Sequence, residues 1–202
     1  MSPSRTGPAI TVFLVAALLV SGLDLWSKKA VFEALGVVTA QMPDGRPRVV
    51  AQDVYVVVSD WFELEANYNY GAFSGWFSRH TGWLAVVSAV AIAIISGIFA
   101  YHVKKARAPE VAFALSLGLL LGGTVGNLYD RAVLAGVRDW IKWFVVIDGR
   151  EHVWPNFNIA DAGICVGVAL LIIREIRIGV RERRARRTAE APREEGIEQD
   201  EE

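Results

Sequence analysis

A single cysteine, Cys165, excludes a disulfide framework and any zinc site built on thiolates; it sits inside an apolar run and reads as a packing residue. Histidine is nearly as scarce. His80, His102 and His152 are scattered, no HExxH helix is present, and no serine stands with a base in a recognisable arrangement, so zinc-protease and serine-hydrolase chemistry lack their parts. No internal repeat is evident, which removes the sequence sign of an inverted-repeat transporter. An excess of one charge is missing as well: the formal net charge is -1, but the charges are segregated, and the stretch from Gly82 to Tyr101 carries none.

What the chain does have is apolar sequence. At 53% hydrophobic residues and a mean hydropathy of +0.32, it lies far from an ordinary soluble domain and reads as a membrane protein. A bilayer core takes about 20 helical residues to cross. Four stretches qualify, 9–28, 82–101, 111–131 and 159–178, giving an all-α membrane core of four transmembrane helices over residues 1–180, followed by a charged, disordered cytoplasmic tail at 181–202. Residues 9–23 followed by Ser21-Gly22 have the look of a secretory signal, but Asp24 and Lys28 come directly after and no cleavage pattern is clear, so this run reads as an uncleaved first span.

Basic residues mark cytoplasmic flanks. Lys104, Lys105 and Arg107 in the 102–110 connection, and Arg181, Arg183, Arg184, Arg186 and Arg187 in the tail, put both termini inside and segments 29–81 and 132–158 outside. The Arg-rich start of the tail reads as a topology signal that also binds anionic membrane lipid, not nucleic acid. Lys28 and Lys29 dissent, at the outer end of the first span, where their stems can snorkel to the interface. The first outer segment reads partly as β: residues 49–58 are rich in β-branched side chains, Trp61 to Glu65 alternates apolar with acidic, and Pro43, Asp44, Gly45 and Pro47 mark a turn. A small extracytoplasmic β-rich segment lying on the membrane follows. Trp76, Trp83, Trp140, Trp143 and Trp154 suit the headgroup region and are explained by interfacial anchoring.

In this topology Asp24, Lys28, Asn127, Asp130, Arg131, Asp139, Asn158 and Asp161 arrive at one level, the outer boundary of the membrane. Ionisable groups at that depth are expensive and usually face a polar cavity or a functional pathway. Asp24 and Lys28 share a helix face, as do Asn127, Asp130 and Arg131. Gly118, Gly122 and Gly126, and again Gly163 and Gly167, form ridges that let neighbouring helices approach. Helix capping alone is a sufficient reason for Asn158 and Asp161. If instead Asp139 and Asp161 approach each other, the two carboxylates cannot both ionise cheaply and hold one proton between them, so one activates water while the other protonates a carbonyl oxygen.

Five blocks carry a resemblance that spans nearly the whole chain: Asp24-Leu-Trp-Ser-Lys28, Asn69-Tyr-Gly-Ala-Phe-Ser74, Gly122-Gly-Thr-Val-Gly-Asn-Leu-Tyr-Asp-Arg131, Gly136-Val-Arg-Asp139-Trp and Phe157-Asn-Ile-Ala-Asp161. Their order resembles that of bacterial lipoprotein signal peptidases, the type II signal peptidases. The resemblance implies an aspartic endopeptidase with Asp139 and Asp161 as catalytic dyad, with Asp24, Lys28, Asn69, Asn127, Arg131 and Asn158 supporting the dyad or holding substrate, and with Asp130 structural. It implies no metal and no cofactor. The implied substrate is a diacylglyceryl-modified prolipoprotein cut before its lipidated cysteine at the outer face of the bacterial cytoplasmic membrane, with the first outer segment cradling the peptide and 132–158 acting as a lid. The asparagine block is one residue shorter than the family's usual pattern, so Asn67 and Asn69 are both candidates to face substrate. Arg138 beside Asp139 departs from expectation, since a nearby cation lowers a carboxylate pKa and opposes proton sharing. Residues 36–52 match no part of the pattern. A proton-coupled transporter using the same carboxylates and a non-catalytic membrane scaffold are the competing readings.

Overall fold

A computed structural model of the chain describes residues 6–71, 81–105 and 110–190. Trp76, His80 and Arg107 of the sequence reading, and the acidic end from residue 191, lie outside the described residues. The helices are α1 (Gly7–Ala34), α2 (Thr81–Lys105), α3 (Val111–Leu134) and α4 (Ile159–Glu190). The strands are β1 (Val38–Gln41), β2 (Pro47–Ala51), β3 (Tyr55–Val58), β4 (Phe62–Asn69), β5 (Val137–Ile147) and β6 (Arg150–Val153).

Three helices, α1, α2 from Gly82, and α3, are long and apolar enough to cross a membrane. Their outer surfaces are apolar, with Leu14, Leu18, Leu19, Val86, Val90 and Ile94 all exposed, because lipid and not water is the solvent they suit. α3 is the central helix, packed against each of the other three. Glycines set how closely: a methyl group at Gly118 or Gly122 would fall 2.9 Å from Ala16 Cβ or Val20 Cβ of α1. At Gly123, which the ridge reading passed over, it would fall 2.7 Å from Ile164 Cγ1 of α4. Away from the polar cluster, Phe13 and Phe99 stack with centroids 3.7 Å apart among Ala9, Ala114 and Leu117.

α1 runs six residues past Lys28, to Ala34, and α4 continues through the Arg-rich run to Glu190 instead of giving way to a disordered tail at 181. Arg, Glu and Ala are good helix formers, so this stretch stays helical with its side chains exposed over 181–188.

The sheet is larger than the sequence reading made it. β3, β4, β5 and β6 form one four-stranded sheet in that order, with antiparallel pairing throughout, so 132–158 supplies half of its strands. Residues 36–52 form the separate antiparallel hairpin β1–β2. Only Ala135 and Gly136 separate α3 from β5, and Ala135 takes the left-handed conformation at φ 55°. That short link swings β5 across the end of α3, and Asn69 of β4 comes opposite Val137.

Candidate active site

The cluster begins on α1. Asp24 and Lys28, one helical turn apart, are fully buried, with Lys28 Nζ 2.7 Å from Asp24 Oδ2 and 3.2 Å from Asp130 Oδ2 on α3. Lys28 therefore does not snorkel: a buried ammonium needs acceptors, and two carboxylates and an amide oxygen supply them. Only Lys29 reaches outward, 3.8 Å from Glu33. Asp24 Oδ1 accepts the Ala160 N–H at 2.9 Å, so α1 also caps the start of α4. Gly126 makes room for that carboxylate, since a methyl group there would fall 3.1 Å from Asp24 Cγ.

Asp130 accepts from Arg138 twice over, through the backbone N–H at 3.0 Å and the guanidinium at 2.7 Å. Successive side chains on a strand point to opposite faces. Arg138 is thereby committed to Asp130 while Asp139 points the other way, which removes the expected conflict between the two neighbours.

Two asparagines carry the geometry onward. Lys28 Nζ donates to Asn127 Oδ1 at 3.0 Å, and because an ammonium can only donate, Asn127 must turn its Nδ2 the other way, where it donates to Asp161 Oδ1 at 2.8 Å. Asn158 is the N-cap of α4. Its Oδ1 accepts the Asp161 N–H at 3.0 Å and Asp161 Oδ2 accepts the Asn158 N–H at 3.2 Å, a reciprocal capping box. The same Asn158 donates through Nδ2 to Asp139 Oδ1 at 2.7 Å and to Asn127 Oδ1 at 3.2 Å. Capping and carboxylate positioning are thus one arrangement, not rival explanations.

Asn69 Nδ2 donates to the second oxygen of Asp139 at 3.1 Å, whereas Asn67 is exposed and makes no such contact. Arg131 reaches the Asn127 carbonyl at 3.5 Å and sets its charge toward Asp161 and Asp139 without pairing with either. Asp139 is 1% exposed and Asp161 partly exposed. Burial first, then the charge of Asp161, push the Asp139 carboxyl up to about 8, against the opposing pull of Asn69, Asn158 and Lys28. Asp24, Lys28, Asn69, Asn127, Arg131, Asp139, Asn158 and Asp161 all lie within this one network, and Asn67 does not. The contribution it overlooked is Arg138 as the cation of Asp130, which strand alternation alone would have indicated. Among the described residues no group of His, Cys, Asp and Glu is arranged to hold a metal ion.

A four-helix arrangement with a sheet across one end of α3 is the architecture of a bacterial membrane enzyme: one solved in meso superposes with a TM-score of 0.65 at 21% identity, over 83% of this chain and 89% of that one. The family model for signal peptidase (SPase) II matches residues 16–177. The lipoprotein signal peptidase of Rhodopirellula baltica is 35% identical over 83% of this chain and 73% of its own length, and that of Xanthomonas campestris pv. campestris 32% identical over 90% and 98%. The chain belongs to the signal peptidase II family and is a multi-pass membrane protease. Scaffold and transporter readings fall away with that membership.

Proposed function

We propose that Asp139 and Asp161 are the catalytic dyad of an aspartic-type endopeptidase that removes signal peptides from diacylglyceryl-modified prolipoproteins, cleaving before the lipidated cysteine. One observation carries this: the two carboxylates are tied together through Asn158 and Asn127 by amide donors at 2.7 to 3.2 Å, and among the described residues no cation pairs with either. Amides orient a carboxylate while favouring its ionised form less strongly than a paired cation would. Charge balance points the same way, because four carboxylates (Asp24, Asp130, Asp139, Asp161) meet three cations (Lys28, Arg131, Arg138), and one proton on the dyad leaves the cluster neutral.

Asp139, the more buried, holds that proton at neutral pH. Asp161, partly exposed and in the first turn of α4 where the helix dipole favours an anion, accepts a proton from water as the water attacks the scissile carbonyl. Asp139 gives its proton to the carbonyl oxygen. The tetrahedral species then collapses: one of its hydroxyls returns a proton to Asp139 as the C–N bond breaks, and the departing amine takes the proton gathered by Asp161. Arg131 offsets the negative charge at the rim of the site.

In the same reading α4 is a fourth span over its apolar first half, and Lys104 and Lys105 mark the cytoplasmic side. Both termini are then inside and the dyad stands at the outer face, where water, lipid and peptide meet. The exposed Tyr55, Val56, Trp61, Trp143 and Trp154 give the sheet an amphipathic surface that lies on the membrane. Cleavage of a diacylglyceryl-prolipoprotein by the reconstituted protein is the test: full turnover by either Asp139→Asn or Asp161→Asn would end the dyad assignment.

A further inference from the structure

Hairpin β1–β2 is docked at both its base and its tip. At the base, the Asp53 N–H donates to the Leu35 carbonyl at 2.9 Å. Gln52 pairs with the backbone of β4 in place of a strand, its Oε1 accepting the Ala66 N–H at 2.7 Å and its Nε2 donating to the Ala66 carbonyl at 2.9 Å. At the tip, Pro43 starts a tight turn and Gly45 supplies φ +80°, with the Gly45 N–H on the Met42 carbonyl at 2.8 Å and the Met42 N–H on the Arg46 carbonyl at 2.9 Å. Asp44 then fixes the Arg46 guanidinium through Nε at 2.8 Å and a terminal nitrogen at 2.5 Å. Held so, Arg46 Cζ lies 4.6 Å from the centroid of the Tyr70 ring.

The Tyr70 ring also rests on Gly136. A methyl group there would fall 2.6 and 2.8 Å from ring atoms Cε1 and Cδ1, so a side chain at 136 would lift the ring. Tyr70 is the middle residue of the turn Asn69-Tyr70-Gly71, in which Asn69 Oδ1 accepts the Gly71 N–H at 3.0 Å and so turns its Nδ2 toward Asp139 Oδ2. We propose that Arg46 is a positioning residue for the reaction: the hairpin tip presses Tyr70 onto Gly136 and thereby aims the Asn69 carboxamide at Asp139. This rests on Asp139 being a member of the dyad.

The consequence has a sign. Asn69 stabilises the ionised form of Asp139, so loosening Asn69 raises the pH at which Asp139 gives up its proton. Among the described residues the charged groups facing Asp139 are Asp161 of α4, Lys28 of α1 and Arg131 of α3, with the amides of Asn69 and Asn158 beside it. Arg46 is not among them, so an effect of its removal travels through Tyr70 and Asn69.

The test is steady-state cleavage of a lipobox peptide carrying a diacylglyceryl cysteine, measured from pH 5 to 10 on the full chain. Arg46→Ala is expected to lower kcat about two- to five-fold, with KM little changed, and to move the basic limb upward by roughly half a pH unit. Gly136→Ala, whose methyl group would crowd the same ring, moves the limb in the same direction. Arg46→Lys recovers most of the wild-type profile. Arg48→Ala, which removes an equal charge from an exposed position of β2, matches wild type. A basic limb unmoved by Arg46→Ala and Gly136→Ala overturns the proposal, even if turnover falls, because that is the behaviour of a residue that only supports the fold. Turnover by Asp139→Asn, run alongside, would fault the dyad instead of the clamp.

Discussion

Two pairs of aspartates share one buried cluster and are treated in opposite ways. Asp24 and Asp130 each meet a cation, Lys28 at 2.7 and 3.2 Å and Arg138 at 2.7 Å. Asp139 and Asp161 meet amides instead, from Asn69, Asn127 and Asn158. A cation within a few ångströms would hold a carboxylate ionised, whereas an amide directs its oxygens and leaves the proton free to come and go. The first pair builds a rigid floor. The second pair sits on it and remains titratable, which is the property that acid–base hydrolysis needs.

The largest effect should come from the titratable pair. Asp139→Asn and Asp161→Asn are each expected to lower kcat by about a thousand-fold or more while the protein stays folded and inserted, as read from single-turnover cleavage and near-UV circular dichroism. The ion-paired set should respond in stability. Lys28→Met strips Asp24 and Asp130 of their shared cation and should cost about 3–5 kcal/mol in detergent-based unfolding. Asp130→Asn belongs to that same class, so it is no neutral control for catalysis.

Between these extremes stands Asn158→Ala, which removes a cap worth about 1 kcal/mol. It should also reduce kcat disproportionately, because the same amide holds Asp139. Were it to change the melting temperature alone, the double duty of Asn158 would be wrong.

The pH dependence separates the pairs again. The folded-state value of Asp139 is about 8, above its ordinary 3.8, so the folded protein holds this proton more tightly than the unfolded chain does. Stability from that source is fully present below 3.8 and is lost as pH rises through about 8. A basic limb in kcat near pH 8 and a melting temperature that falls between about pH 4 and pH 8 and levels off above are expected together, the fall flattened in Asp139→Asn. The smallest effect should be that of Lys29→Ala, whose exposed pair with Glu33 contributes a few tenths of a kcal/mol at most.

Much of this was legible in the chain. Apolar run length marked all four helices, three of which are long and apolar enough to cross a membrane, and the gathering of polar residues at particular helix ends brought together most of the cluster, though not Asn69 of β4 or the pairing of Arg138 with Asp130. The sheet was legible only in part. The run 49–58 divides between two separate strand pairs, the β1–β2 hairpin and β3 on β4, while β5 comes from a distant segment whose partner a local pattern cannot reveal. Asn67 and Asn69 both carry a carboxamide on neighbouring positions of one strand, and sequence spacing could not choose between them. The side-chain hydrogen bond from Asn69 to Asp139 did, even though the strand register sets Asn67 opposite Asp139.

Sequence by itself determined which segments leave water and which ionisable residues have to be reconciled with that, because transfer free energy depends on composition and length. Tertiary structure alone decided which carboxylate meets a cation and which meets an amide. That choice turns on a few ångströms of helix approach at Gly122, Gly123 and Gly126 and on the two-residue link into β5. Charge interactions inside a protein change steeply over such distances, and only the packed chain sets them.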